Sequence, residues 1–479
     1  RLTTTAVYGT NHATSNSADF DRDGLSAPSR SDTILVTTRV YNDNGTLLSV
    51  NDPKDIQTRY FYDGAHRQTH TISNYINGTP SGPTGADDNV VRYTYVDGLR
   101  TEMWVDLDGD AVKDADDQVT VYTYGVAKGT AAGTSRLAAN NLLYSTTYPD
   151  AYGGSSTDRV FLAYNAQGER IWSKDQIGDS LEYTHDTGGR VTSVAATLAG
   201  GSPTDSTILR IETAYTSRGQ VSTVTSYNAA SAGTVQNEVK YTYDAWGNVT
   251  KIEQDRDSVV GGSGTGDYEV AFEYDEAGET GVTSAFARLH RTAVVYPDGT
   301  EMSFRFGQDL DSIGLPAQVN LMLGRVDQVS LTPSGGSPVV QATYEYLGLG
   351  HVVRTDYPVP EMWSAVTSGT STYPGLDRFN RIVESSWTWD YAAGTDHNAY
   401  EVDLTYDRNS NITWAEDQWH QGRDVLYSMD ELNRLTDADR GNRSGGSIAL
   451  RNFRQEWTLD QTGNWDLFKA DLNGDGDWA

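Results

Sequence analysis

The densest chemistry in the sequence lies in the run Asp106-Leu107-Asp108-Gly109-Asp110-Ala111-Val112-Lys113-Asp114-Ala115-Asp116-Asp117, with carboxylates at loop positions 1, 3, 5, 9 and 12. A hard divalent cation takes about six to eight oxygen ligands, and this spacing can wrap them around one centre. Carboxylates held this close repel one another unless a cation or solvent screens them. A second run, Asp471-Leu472-Asn473-Gly474-Asp475-Gly476-Asp477-Trp478-Ala479, has the same opening pattern. A third, Asp19-Phe20-Asp21-Arg22-Asp23-Gly24, has only the first half, and Arg30 falls at its position 12. For all three the alternative is an Asp/Gly-rich turn that holds no metal.

The first run resembles the calcium loop of dockerins and EF-hands. Carried over on that resemblance, Asp106, Asp108, Asp110 and Asp117 would ligate directly. Val112 would offer its carbonyl, and Asp114 would act directly or through water. In the C-terminal run Asp471, Asn473, Asp475 and Asp477 take the corresponding places. The implied cofactor is a structural Ca²⁺. Two residues of the first run depart from the pattern: Ala111 stands where the calcium loop has Gly, and Lys113 where an apolar residue packs. The second run keeps both features in Gly476 and Trp478 but stops at position 9. The flanks of the first run read as strand rather than helix.

Catalytic patterns are lacking. None of the eight histidines forms an HExxH or another ligand-spaced pair on a helix. His66 and His70 follow a turn, and in a strand such residues lie about 13 Å apart, too far for one ion. The sequence has no G-x-S-x-G, no P-loop and no dinucleotide fingerprint. It has no cysteine, which excludes disulfides, thiolate metal sites and Cys nucleophiles. Among 66 acidic residues some pair falls at glycosidase spacing by chance, so such a pair carries no weight. The expectation is a chain that is not an enzyme.

Charge narrows the partners. With 36 basic and 66 acidic residues the net charge is −30. A nucleic-acid partner needs a basic footprint, and an anionic membrane surface attracts one, so neither is expected. No stretch nears the roughly 18 consecutive apolar residues of a membrane span. The sequence opens on Arg1 and closes inside the second acidic run, which reads as an internal piece of a longer polypeptide.

Thr, Tyr, Val, Gly and Asp dominate, which favours pleated strands joined by turns over helix. The clearest repeating unit is Tyr241-Thr242-Tyr243-Asp244-Ala245-Trp246-Gly247-Asn248-Val249. Tyr62-Asp63, Tyr164-Asn165, Tyr274-Asp275, Tyr406-Asp407, Met429-Asp430 and Leu459-Asp460 keep the frame, and degenerate copies surround Tyr41, Tyr95, Tyr124, His185, Tyr215, Phe306, Tyr346 and Asp377. This gives about 15 copies at roughly 20–40 residues, the range of repeat architectures. Tyr-x-Tyr puts two rings on one face of a strand. Asp opens a turn by accepting a backbone N–H two residues on. Gly supplies the positive φ of a short bulged hairpin loop, and the next apolar residue starts the return strand. Each repeat is one hairpin, too weak alone, so stability should come from repeat-to-repeat interfaces.

These residues resemble the RHS/YD-repeat family, which includes bacterial RHS toxins and the YD shells of teneurins, from about Thr33 to Trp465. The resemblance implies an all-β fold: tandem YD β-hairpins in one long antiparallel sheet that spirals into a shell or open hollow spiral. At about 9.6 Å per hairpin the ribbon would run roughly 140 Å, on the order of one turn about a cavity some 45 Å across. The expected organisation is an N-terminal segment over 1–32, a single YD-repeat array over 33–465, and the start of a further acidic loop over 466–479.

The expected function is a non-catalytic structural scaffold of a large secreted or cell-surface protein, with neighbouring repeats or copies of itself as partners. The alternatives are an encapsulating shell of an RHS-type toxin-delivery protein, holding a polypeptide cargo, or a carbohydrate-binding adhesin that uses Trp387, Trp389, Trp414 and Trp419 on a surface glycan. RHS proteins often carry an aspartic autoprotease with Asp-Pro pairs beyond the repeats. Here Asp52-Pro53 is the only such pair and stands elsewhere.

Overall fold

The computed structural model describes residues 2–7, 28–79, 87–114, 117–149, 158–262, 266–275, 290–307, 320–366, 375–390, 396–420 and 422–478. Among them are 31 strands, from β1 (Thr4–Val7) to β31 (Trp465–Asp471), in one unclosed sheet. The strand pairs are antiparallel, and among the described residues helix is confined to 320–322. The all-β expectation holds. The acidic half-motif Asp19 to Asp23 lies outside the described residues.

The hairpin of β16 (Val235–Tyr243) and β17 (Val249–Asp255) shows how the sequence makes the unit. Tyr241 faces Ile252 and Thr242 faces Lys251, and then the register slips by one so that Tyr243 faces Val249. The slip is the bulge that the loop length demands. Asp244 Oδ1 accepts the backbone N–H groups of Trp246, Gly247 and Asn248 at 2.8, 2.8 and 2.9 Å. Gly247 sits at φ 98°. Asp63, Asp186, Asp407, Asp430 and Asp460 each accept from the residues two and four ahead in the same way. Where Gly is missing, His66, Asn380, Ser410 and Asn433 take its left-handed conformation at φ 62–69°. The carboxylate staple therefore outweighs the modest local strain of a side chain there.

A sheet with few layers has little interior. Val36, Val90 and Ala163 are fully buried, but most strand residues, the YD tyrosines included, are only half-buried. The chain divides into two units. Unit 2 comprises Tyr122–Tyr148 and Ser155–Glu361, and unit 1 holds Arg1–Val121 and Met362–Ala479 with a short piece from Pro149.

Unit 1 thus joins two stretches far apart in sequence, and side chains make the seam. YD turn tips of the later stretch meet link turns and strand ends of the earlier one. Asn409 Nδ2 donates to Asp52 Oδ2 at 2.7 Å, and Lys54 pairs with Asp407 at 3.4 Å. Arg408 pairs with Asp32 at 2.7 Å, and Arg378 donates to the Thr33 carbonyl at 3.1 Å. Further along, Gln461 Nε2 donates to the Leu107 carbonyl at 3.2 Å, and Gln118 donates to Asp460 at 3.3 Å. Asn89 donates to the Gln461 carbonyl.

Candidate functional site

The first acidic loop hangs from the end of β7 (Leu99–Asp106) and leads into β8 (Gln118–Val126). It is flanked by strands, as expected. Ligand-capable oxygens of Asp106, Asp108 and Asp110 lie within 4.8 Å of one another. Asp106 is fully buried, whereas Asp108 and Asp110 are exposed. The loop is wound by its own carboxylates. Asp106 Oδ1 accepts from Gly109 N at 2.8 Å, Asp108 from Asp110 N at 3.1 Å, and Asp110 from Val112 N at 2.6 Å. Asp117 closes it, accepting from Leu107 N at 3.0 Å and Asp114 N at 3.1 Å. Burial pushes the Asp117 carboxyl above its usual pKa, against those two bonds. Ala111 adopts φ 64°, the conformation that Gly holds in such loops. Lys113 turns outward to Glu102 at 2.6 Å.

The C-terminal loop follows β31 and repeats the pattern. Asp471 is buried and accepts from Gly474 N at 2.7 Å and Gly476 N at 3.0 Å. Asn473 accepts from Asp475 N at 3.3 Å, and Asp475 from Asp477 N at 2.9 Å. Burial opposes ionisation of Asp471, but the N–H groups of Gly476, Gly474 and Asn473, with the Arg451 charge, hold its carboxyl below the usual range. Gly474, at φ 80°, has the backbone of Arg451 within 2.3 Å of where a Cβ would stand. In the first loop Arg92 reaches Asp106 Oδ2 at 2.5 Å, so a guanidinium pairs directly with the position-1 carboxylate there. Trp478 lies under Arg454 and Lys469, at 5.3 and 5.5 Å from its ring.

The family model of the RHS Repeat matches residues 41–74, which span the turns at Asn42 and Asp63. The chain carries an RHS repeat there. Solved structures share the fold of the chain. A crystal structure of TcdB2-TccC3 matches with a TM-score of 0.53 at 13 % identity, covering 93 % of this chain and 22 % of that one. The Photorhabdus luminescens Tc holotoxin pore with a mutated TccC3 gives 0.53 at 12 % identity, covering 92 % and 22 %. TcdB2-TccC3 without its hypervariable C-terminal region gives 0.53 at 13 %. The chain spans about a fifth of the length of these structures. No curated protein matches it by sequence.

Sequence reasoning missed the arginine four residues after the turn carboxylate. Arg67, Arg190 and Arg381 each pair with their own turn aspartate, Asp63, Asp186 and Asp377, at 2.5–2.7 Å. Each guanidinium also lies over the tyrosine of the next repeat, Tyr95, Tyr215 and Tyr406, at 4.8, 4.5 and 4.7 Å. The recurrence of Asp-x-x-x-Arg was the available signal. Also missed were buried aspartates on the link side. Asp88 accepts from Ile76, Asn77 and Gly78 N at 2.8–3.0 Å, and Asp179 from Ala199 N, Ser202 and Thr204 at 2.7–2.8 Å.

The two histidines His66 and His70 are kept apart in role: His66 sits in the turn, while His70 on β5 (Gln68–Ser73) stacks on Phe61 at 4.0 Å. Of the tryptophans singled out, Trp414 is buried, whereas Trp389 and Trp419 are exposed and Trp387 is half-buried. Ring packing therefore accounts for only part of the aromatic content.

Proposed function

We propose that the chain is a non-catalytic wall segment of a larger secreted or cell-surface RHS-repeat protein. The seam in unit 1 carries this reading, because tips of later repeats rest on link turns 342–376 residues earlier in sequence. Contacts over that separation hold the two stretches of unit 1 together, as neighbouring repeats of one wall would be held. Small-angle scattering tests it. A compact chain of this length has a radius of gyration of about 23 Å. A hollow or open wall gives a clearly larger value, and a value at the compact limit would overturn the proposal.

A second reading, a shell around a polypeptide cargo, draws on the shared fold with the TcdB2-TccC3 structures. A protease motif and a variable domain encoded beyond Ala479 would favour it. Further repeats or a sorting signal would favour the plain scaffold.

We further propose that Ca²⁺ acts as a structural ion in both acidic loops. Asp106, Asp108, Asp110, the Val112 carbonyl, Asp114 and Asp117 would hold it in the first, and Asp471, Asn473, Asp475 and Asp477 would begin the second. The matching internal turns of the two loops support the reading. Calorimetric titration of the chain with Ca²⁺ tests it, and a flat isotherm at millimolar ion would count against it.

A further inference from the structure

We propose that one proton, shared between Asp403 and Glu384 across adjacent strands, acts as an acid-operated clasp in unit 1: it draws the sheet together there, and its loss loosens the hairpin that bears the seam. The register sets the geometry. On β25 (Glu384–Asp390), β26 (Asp396–Tyr406) and β27 (Ile412–Asp417), Glu384 stands opposite Asp403 and Asp403 opposite Glu416. Directly opposed residues share a face, so three carboxylates form one row across three strands. Glu401, two residues back on β26, adds a fourth to that face. Like charges opposite one another destabilise a strand pair.

The neighbouring groups answer only part of this charge. Arg443 on β29 (Leu435–Ser444) pairs with Glu416, and its guanidinium also covers the Trp414 ring at 4.8 Å. Gln418 donates to Asp403 Oδ2 at 2.8 Å. Glu401 accepts from Asn398 at 2.9 Å and from the Trp419 indole at 3.3 Å. Asp424, which opens β28 (Asp424–Met429), is taken up by the backbone N–H groups of Asp417 and Arg443 at 3.0 and 2.9 Å. Glu384 differs: its Oε1 is buried and has no hydrogen-bond partner. A buried acceptor left unmet is costly. A protonated Asp403 supplies an O–H directly across the strand pair from it, and a carboxyl-to-carboxylate bond is among the stronger hydrogen bonds. Burial, and then the charges of Glu384, Glu401 and Glu416, raise the Asp403 carboxyl above its ordinary 3.8, with Arg443 opposing. The folded chain therefore holds this proton more tightly than the unfolded chain. The stabilisation is complete below pH 3.8 and is lost as pH rises through the higher folded value. β26 runs on into the Asp407 turn, whose Asn409 and Arg408 rest on Asp52 and Asp32, so the clasp lies on the strand that leads to the seam.

Hydrogen exchange of the 479-residue chain over a pH series tests this, corrected for the intrinsic pH dependence of amide exchange. EDTA is present throughout, so that no metal ion stands in for the proton. Protection of β25 to β27 should fall several-fold as pH rises from 3.8 toward neutrality. In Asp403→Asn the amide N–H offers Glu384 the same bond at every pH, so protection should stay high at neutrality and the dependence should vanish. Glu384→Gln should also remove it, because the opposing charge is gone. Asp466→Asn, at an exposed carboxylate of β31, should leave the dependence in place. Protection that is flat or rises toward neutrality in the wild type, an Asp403→Asn chain that keeps the wild-type dependence, or an Asp466→Asn chain that loses it would overturn the proposal.

Discussion

The hydroxyl of Tyr243 donates to the backbone carbonyl of Val221 at 2.7 Å, tying one repeat to the one before it. Val221 opens the return strand β15 (Val221–Tyr227) of the preceding hairpin. Tyr215 reaches Val191 and Tyr274 reaches Val249 at 2.8 and 3.1 Å in the same way. The tyrosine of the repeat is thus a tether between neighbours as well as a packing group. This explains why the motif specifies a phenol at a half-buried position.

Tyr243→Phe should cost about 1 kcal/mol, the net worth of one hydrogen bond. Tyr243→Ala should cost about 2–4 kcal/mol, below a fully buried aromatic because the ring keeps some exposure. Hydrogen exchange should rise in β15 to β17 and stay unchanged in distant hairpins. Uniform loss of protection along the chain would contradict nearest-neighbour coupling.

Arg381→Lys should destabilise by about 1–2 kcal/mol despite keeping the charge. The guanidinium pairs with Asp377 at 2.6 Å, donates to the Asp407 carbonyl at 3.0 Å and covers Tyr406, and an ammonium cannot do all three. Chemical denaturation measures it, and an unchanged midpoint would show that the stacked geometry is immaterial.

His70 should make the fold sensitive to mild acid. Burial, and then the Arg92 charge, lower its pKa from 6.5 to about 4, with Asp106 opposing. A folded pKa below the unfolded one means the unfolded chain binds the proton more readily. Stability is therefore complete above pH 6.5 and is lost as pH falls from there toward 4. After allowance for solvent screening the loss is about 1–2 kcal/mol. His70→Phe should flatten that window in a pH series of melting curves. Asp63 and Asp186, held below the ordinary 3.8 by bonds to Arg67 and Arg190, should respond only in stronger acid.

Ala111→Gly should stabilise the chain by about 0.5–1 kcal/mol, because an L side chain at φ 64° is strained. Under the calcium proposal it should also tighten Ca²⁺ binding. EDTA should lower the melting temperature of the wild type, and Asp108→Ala with Asp110→Ala should remove that response. A hundredfold excess of ion over its Kd corresponds to about 2.7 kcal/mol. Equal melting with Ca²⁺ and EDTA would remove the ion from the account of the loop.

The hairpin was legible in the residues themselves because it is local. Tyr-x-Tyr alternation, the Asp staple at Asp244 and the left-handed position at Gly247 all act within nine residues, and together they specify strand, turn and return strand. The spacing of Asp106, Asp108 and Asp110 likewise placed three carboxylates together, since one short loop positions them. What only the tertiary structure decided is long-range. No local pattern says that Gln461 will rest on Leu107 or that Asn409 will find Asp52. Those partners lie 354 and 357 residues apart, beyond the reach of any strand or turn rule, so only the packing of unit 1 brings them together.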